Sequence, residues 1–395
     1  MRFNGAGSLA MASVALIALA SEGARAQGHA PAADAPPIRA GTTHWALPTA
    51  EPVFPQTDEQ KQKAMREGRI LPAPEALWPR LDTGLASYTP AKGLKIHATY
   101  RAGSSDVLPG LVEAWVAAFR KYHPGFKLKI ERPLAGSLGA IELIKGNLDL
   151  VFVSRELKPT DIATFRDRFG YEPFSVPISG GSWRHFGFLD SLAFMVHPDN
   201  PIRQLDFAQL DAAFSSTRHR GGKEIRTWGD LGLAGEWADK PVHLYGIKPW
   251  NGFEEFVRQR VLSVPGKRGE WNDHVTFDAT FFVVARRVAA DPYALGYTGM
   301  SAIDSEVKIL PVGVDGGPAL SPSYENVATA DYPLSRLIYL NTNAPAGKPL
   351  DPVLGEFLRF ILSREGQKVV LRQGIYLPLR AKQVSASRAY MNAPR

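Results

Sequence analysis

From about Gly93 the chain alternates apolar and polar positions in a regular way. LKIHATY, residues 94–100, carries apolar side chains at every second position, the period of a half-buried strand. The turn GSSD, residues 103–106, leads into LVEAWVAAFRKY, which sets Leu111, Trp115, Ala118 and Phe119 on one helical face. Pro124-Gly125 ends that helix. FKLKIE reads as the next strand, and GSLGAIELIKG as a turn into a helix closed by Gly146. LDLVFVSR reads as a strand ending in polar residues, and KPTDIATFRDRFG as a helix.

The middle of the chain is a second unit of the same kind. SLAFMVHPDNP predicts a strand stopped by Pro201, FAQLDAAFSS a short helix, and TWGDLGLAGEW a glycine-punctuated loop. HLYGIKPWNGFEEFVRQRVL reads as strand, turn and helix, and DATFFVVARRVAADPYALGYTG as helix then strand. YPLSRLIYLNT predicts one more strand. DPVLGEFLRFILSREGQKVVLRQG is an amphipathic helical stretch with Gly374 past its end.

Strand, polar turn and helix in repetition predict mostly parallel sheets with helices on both faces. A chain that leaves the first unit near 193 and returns near 336 makes two lobes joined by two crossings, with a cleft between them. Three turns, 103–106, 136–139 and 154–155, then gather at the carboxyl ends of strands, where open α/β sheets bind ligands. SGGSWRHFGFLD, residues 179–190, lies near the first crossing. Its aromatic residues fit either a cover over the cleft or a packed surface loop.

Before Gly93 the pattern fails. Residues 27–55 are rich in Pro and Ala without periodicity and read as a linker or strap. Residues 57–68 predict a short polar helix with no apolar face to bury. At the start, Met1-Arg2, the short apolar run SLAMASVALIALA and Ala24-Arg25-Ala26 have the order of a cleavable export signal, leaving Gln27 at the mature N-terminus. The expected partition is signal 1–26, linker and strap 27–90, first lobe 91–192, second lobe 193–335, and return to the first lobe 336–395. The expected location is the periplasm, as a soluble monomer.

Composition removes several chemistries. The 395 residues include no cysteine, which excludes disulfides, thiolate catalysis, cysteine zinc sites and a lipid-anchored cysteine at the signal junction. A net charge of +7 weakly favours anionic partners. No dense Lys/Arg stripe with interleaved aromatics supports nucleic-acid binding. The nine histidines form no H-E-x-x-H, and neither G-x-S-x-G nor a Walker loop is present, so no enzyme class is supported. His123 and His197 precede prolines at element ends and read as structural. No cofactor or metal is called for.

GSSDVLPGLVEAWVAAF, LDLVFVSRELKPTD, LAFMVHPDNPI, TWGDLGL, ALGYTG, YPLSRLIYL and EFLRFILSREGQKVV…GIYLPL, in that order from about 93 to 380, resemble the phosphate-binding proteins of phosphate ABC transporters. The resemblance implies a two-lobed periplasmic binding protein of type II topology that delivers an oxyanion to an inner-membrane permease. In this sequence the family's first turn falls on Ser104, Ser105 and Asp106, and its second-turn serine on Ser137. The usual carboxylate position holds Arg155, although some branches carry Ser-Arg there. The usual arginine position holds Ile247, and the usual Ser-Gly-Thr turn is Asn251-Gly252-Phe253. These departures mark a divergent branch. An envelope accessory protein that kept the fold and lost the anion is the alternative.

The residues also make a physical case. Helix N-termini present unpaired N–H donors and a positive dipole end, and Ser and Gly let an oxyanion approach them closely. Arg155 adds a permanently charged fork. Asp106 has three readings: an N-cap, a ligand group accepting a proton from a monoprotonated oxyanion, or a charge partner of Arg155. Asn251 with Glu254 also fits a capping box.

Overall fold

The computed structural model describes residues 80–393 except 109, 132–135, 184–188, 250–251, 304 and 346, with the side chains of 136–138 also outside the description. The expected export signal, most of the strap, the polar helix at 57–68, Pro109 and Asn251 therefore lie outside the described residues. So do the side chain of Ser137 and residues 184–188 of the aromatic loop.

In chain order the first elements are β1 (Ala98–Ser104), α1 (Leu111–Phe119), β2 (Phe126–Glu131), α2 (Gly136–Lys145), β3 (Leu150–Val153), α3 (Pro159–Phe169) and β4 (Phe174–Gly180). The next are β5 (Leu192–Val196), β6 (Leu205–Asp206), α4 (Phe207–Phe214) and β7 (His243–Ile247). After these come α5 (Gly252–Val257), continued by a π-helical turn Arg258–Leu262, then β8 (Val275–Asp278), α6 (Phe281–Ala290) and β9 (Ala294–Gly299). The chain ends through β10 (Lys308–Ile309), β11 (Val312–Gly313), α7 (Tyr324–Ala328), β12 (Leu337–Thr342), α8 (Pro352–Ile361), α9 (Arg364–Gln373) and α10 (Ala381–Asn392).

Two five-stranded sheets result, in the orders β2-β1-β3-β12-β4 and β10-β5-β9-β7-β8. In the first, β1, β2 and β3 are parallel and β12 is antiparallel to both its neighbours. In the second, β7 is parallel to β8 and β9, and β5 is antiparallel to β9. Both sheets are mixed, whereas the repeating strand-turn-helix pattern predicted mostly parallel ones; the antiparallel pairings are those of β12 with β3 and β4 in the first and of β5 with β9 and β10 in the second.

The four residues of β3 show why helices cover both faces of the first sheet. Leu150 and Phe152 join a core with Leu111, Trp115 and Phe119 of α1 and Phe357 of α8. Val151 and Val153 join a separate cluster with Leu143 of α2 and Phe165 of α3. Alternate side chains of a strand point to opposite faces, so a continuous apolar run demands cover on both. In β12, Ile338 and Leu340 take the first side and Tyr339 the second. The second sheet has its own core around Phe194, Phe214, Trp228 and Tyr297.

Three local expectations are corrected. The first strand starts at Ala98 and extends through Gly103 and Ser104, because its parallel pairing with β3 continues to Phe152. Helix α1 starts at Leu111, not after Asp106. Ser105 O accepts the amide of Leu108 in a turn, and Gly110, at φ 75°, takes the N-cap position without a side-chain cap. Asp106 is thus not the cap of this helix. The stretch 352–373 is two helices, because Ser363 breaks it and caps the second by accepting from Gly366 N at 3.2 Å.

Candidate functional site

Parallel strands bring their carboxyl ends to one edge. In the first sheet that edge carries Ser104 and Ser105 after β1, the start of α2 after β2, and Ser154 and Arg155 after β3. Neighbouring β1 and β3 place Ser105 and Ser154 side by side, with Oγ atoms 3.4 Å apart. Ser105 is buried, and its hydroxyl also lies 3.3 Å from Asp106 Oδ1. Two of the three expected turns, 103–106 and 154–155, therefore meet. Gly139 in α2 sits directly over Val151 of β3, which sets how closely that helix lies on the sheet.

Arg155 is buried, donates to Glu156 O at 2.8 Å and faces Asp161 of α3 at 3.8 Å. Burial lowers its pKa, opposed by the charges of Asp161, Glu255 and Glu156. Glu255 lies in the other lobe. Burial works against its ionised carboxylate, but the Arg268 fork at 2.8 and 2.7 Å, together with Lys158 and Arg155, holds its pKa below the usual value.

The loop after β3 is thereby tied to α5 and its π-turn. Gln259 donates to Leu157 O at 2.9 Å, Arg260 meets Glu156 at 3.3 Å, and Lys158 faces Glu255 at 3.7 Å. Glu156 also accepts from Tyr339 OH at 3.0 Å. The contacts of Gln259, Arg260 and Glu255 run between the units of the two sheets, and that of Tyr339 lies within the first.

The second sheet contributes Gly252 at the start of α5, after β7, and Gly299 to Ser301 after β9. Ile247, at the end of β7, is fully buried in the core and offers no polar group to the cleft. Lys248 beside it is exposed. Glu254 is buried, with Oε1 bonded to Arg258 and Trp271.

The crossings lie against each other. Gly181 N donates to Arg336 O at 2.8 Å, and Leu192 N to Leu334 O at 3.3 Å. Trp183, weighed above as part of a cover, is instead buried in the second core and donates to Pro322 O at 3.0 Å.

The crossings also carry two charged residues that the sequence pattern did not single out. Asp190 is fully buried, and its Oδ2 accepts from Ser301 N at 2.9 Å and Ser301 Oγ at 2.7 Å, while Oδ1 has no partner. Burial pushes its pKa up to about 6, against the Ser301 hydrogen bonds and the charge of Arg336. Arg336 is buried at 6% exposure, and its guanidinium carbon lies 5.1 Å from the Phe253 ring and 5.2 Å from the Phe256 ring. Its Nε has no hydrogen-bond partner. Burial lowers its pKa to about 10, the nearby Arg155 in the same sense, while Asp190 and Glu156 oppose.

Magnitudes show which effect dominates at Arg336. Two cation–π contacts supply about 1–2 kcal/mol each when desolvated. Removing a guanidinium from water costs several kcal/mol unless paired and hydrogen-bonded. In the sequence each is one charge at the head of an apolar strand run, in FLDSLAFMV and in YPLSRLIYL, which alone does not separate it from an ordinary strand end.

A groove of about 670 Å³ lies on other elements, lined by Ala91, Leu94, Glu356, Arg359 and residues near Met391. Close to it, Tyr88 OH bonds His123 Nε2 at 2.8 Å and also Glu356, and burial lowers the His123 pKa. His123 is buried there, with its ring 4.7 Å from the Phe119 ring and Nε2 3.6 Å from Glu356.

Residues 95–365 match the family model described as PBP superfamily domain. The chain is 33% identical over 305 residues to phosphate-binding protein PstS of Pseudomonas aeruginosa, covering 76% of this chain and 89% of that protein. It is 23% identical over 271 residues to phosphate-binding protein PstS of Staphylococcus saprophyticus, covering 67% and 76%. Among solved structures it is similar to PstS from Borrelia burgdorferi at 16% identity, covering 71% and 99%, with a TM-score of 0.49.

Proposed function

The chain belongs to the PstS family of phosphate-binding proteins within the PBP superfamily, and from that membership we propose that it captures phosphate in its inter-lobe cleft. It then hands the anion to an inner-membrane ABC permease, acting as a binder and not as an enzyme. The observation that carries this reading is the buried Ser105–Ser154 pair followed by buried Arg155, at the carboxyl edge of parallel strands. Hydroxyls and a guanidinium in a water-poor cleft suit a tetrahedral oxyanion.

Ser104, Ser105, Asp106, Ser137, Arg155, Asn251 and Gly252 are the proposed ligand residues. In this reading residues 91–192 with 336–395 are one lobe and 193–335 the other, which sheet membership supports. The N-terminal signal 1–26 is removed on export, and the mature protein works in the periplasm as a monomer. No helix among the described residues is long and apolar enough to cross a membrane.

Isothermal titration of the mature protein with phosphate tests the function. One site per chain is expected, weakened at least about 10-fold by Arg155→Ala. No heat and no thermal shift at millimolar phosphate overturns the phosphate reading. An unchanged affinity in the variant overturns the site assignment.

A further inference from the structure

We propose that Arg336, delivered by the return crossing between the lobes, is a second anion-gripping residue of the cleft, facing the bound oxyanion opposite Arg155. The inference deepens the oxyanion reading above and rests on it.

Three independent observations converge on Arg336. First, it is a buried cation with no counter-ion in contact. Among the described residues its guanidinium makes no hydrogen bond, and Nε is buried without a partner. Asp190, the carboxylate that offsets its charge, is committed through Oδ2 to Ser301.

Second, its place in the fold is where the ligand edges meet. β12 runs antiparallel to β3 with Tyr339 opposite Val153; carried on, that register sets Arg336, just before β12, opposite Glu156, one residue past Arg155. From the second lobe, a side chain added at Gly252 would stand 3.9 Å from Arg336 Nη2. Arg336 therefore sits between the proposed ligand turns of both lobes.

Third, its orientation is fixed in a way that leaves its donors usable. Phe253 and Phe256 hold the guanidinium at 5.1 and 5.2 Å. Rings stacked on the face of a guanidinium leave the N–H fork at its edge free for an oxyanion. Two guanidinium groups close enough to repel, Arg155 and Arg336, are both buried here, and an anion between them removes the repulsion. Phe253 thereby gains a function that a hydroxyl residue would not perform, as one wall of the cation's seat.

Arg336→Met and Arg336→Lys, with wild type as reference, test this by titration and by melting with and without anion. The expected result is an anion affinity at least about 30-fold weaker in the Met variant. The Lys variant, which keeps charge but loses the fork, falls between. Melting without anion stays level or rises, because an unpaired buried charge is gone, while the anion-induced rise is lost.

An affinity within about threefold of wild type in both variants overturns the proposal. So does a fall in anion-free melting that accounts for the whole effect, because that marks a purely structural arginine. If the Met variant does not fold, the Lys variant decides on the same criteria. Phosphate, arsenate, sulfate and selenate are titrated in parallel. A wild type that binds another of these but not phosphate ends the phosphate reading while still testing Arg336 on the anion bound. A wild type that binds none overturns both.

Discussion

At the scale of single residues, burial decides more than charge does. Asp190 and Asp106 are both acids near the cleft, but Asp190 is sealed in and its pKa stands at about 6, while Asp106 keeps partial access to solvent. The consequence for stability has a definite sign. An acid whose folded pKa lies above its unfolded value of 3.8 holds a proton in the folded state that the unfolded chain releases. Its stabilising contribution is complete below about pH 4 and is lost as pH rises through 6. Comparing wild type with Asp190→Asn in urea melts isolates it, since an amide accepts the same Ser301 bonds and does not titrate. Between pH 4 and 7.5 the wild type should lose about 3 kcal/mol relative to the variant. A difference that stays flat across that range overturns the assignment of a raised pKa.

At the scale of elements, the ligand edge depends on how closely helices sit on strands. Gly139 lies in α2 where a Cβ would come 2.4 Å from Val151 Cγ1. Gly139→Ala therefore forces α2 off β3 or Val151 out of its cluster. A loss of about 1–3 kcal/mol in urea unfolding is expected, by the usual cost of overpacking. Phosphate affinity should fall with it, because Ser137 lies in the first turn of α2. The pattern of the sequence was enough to place most of these elements. Leu111, Trp115 and Phe119 do share the buried face of α1. It was not enough to fix their ends. The extension of β1 to Ser104 comes from hydrogen bonds to β3, some fifty residues on, and the start of α1 at Leu111 comes from the left-handed Gly110. Both lie beyond the reach of a local period.

At the scale of the whole molecule, several polar contacts among the described residues join the units of the two sheets. Glu156 is the busiest of them, meeting Arg260 from the other lobe and Tyr339 from the return strand. Glu156→Gln removes the charge and keeps the shape. Since the pair is partly exposed, its loss is worth about 1 kcal/mol or less. Stopped-flow measurement should show phosphate leaving a few-fold faster from the variant, with the association rate little changed. An unchanged dissociation rate sinks the view that these contacts hold the closed form.

The sequence alone determined the kind of molecule this is. The alternation of periods 2 and 3.6 set the mixed α/β class, the lack of cysteine removed whole branches of chemistry, and motifs in order pointed to the PBP superfamily. Ser105 and Arg155 could be proposed from the sequence because they sit in turns between recognisable elements. Asp190 and Arg336 were not, because each reads as one charge in an apolar strand run. Only the antiparallel return of β12 beside β3, and the hydrogen bonds between the crossings, bring those two charges together at the cleft. Local periodicity reports which face of an element is buried. It carries no information about which distant segment covers that face, and here that pairing decides where the second guanidinium stands.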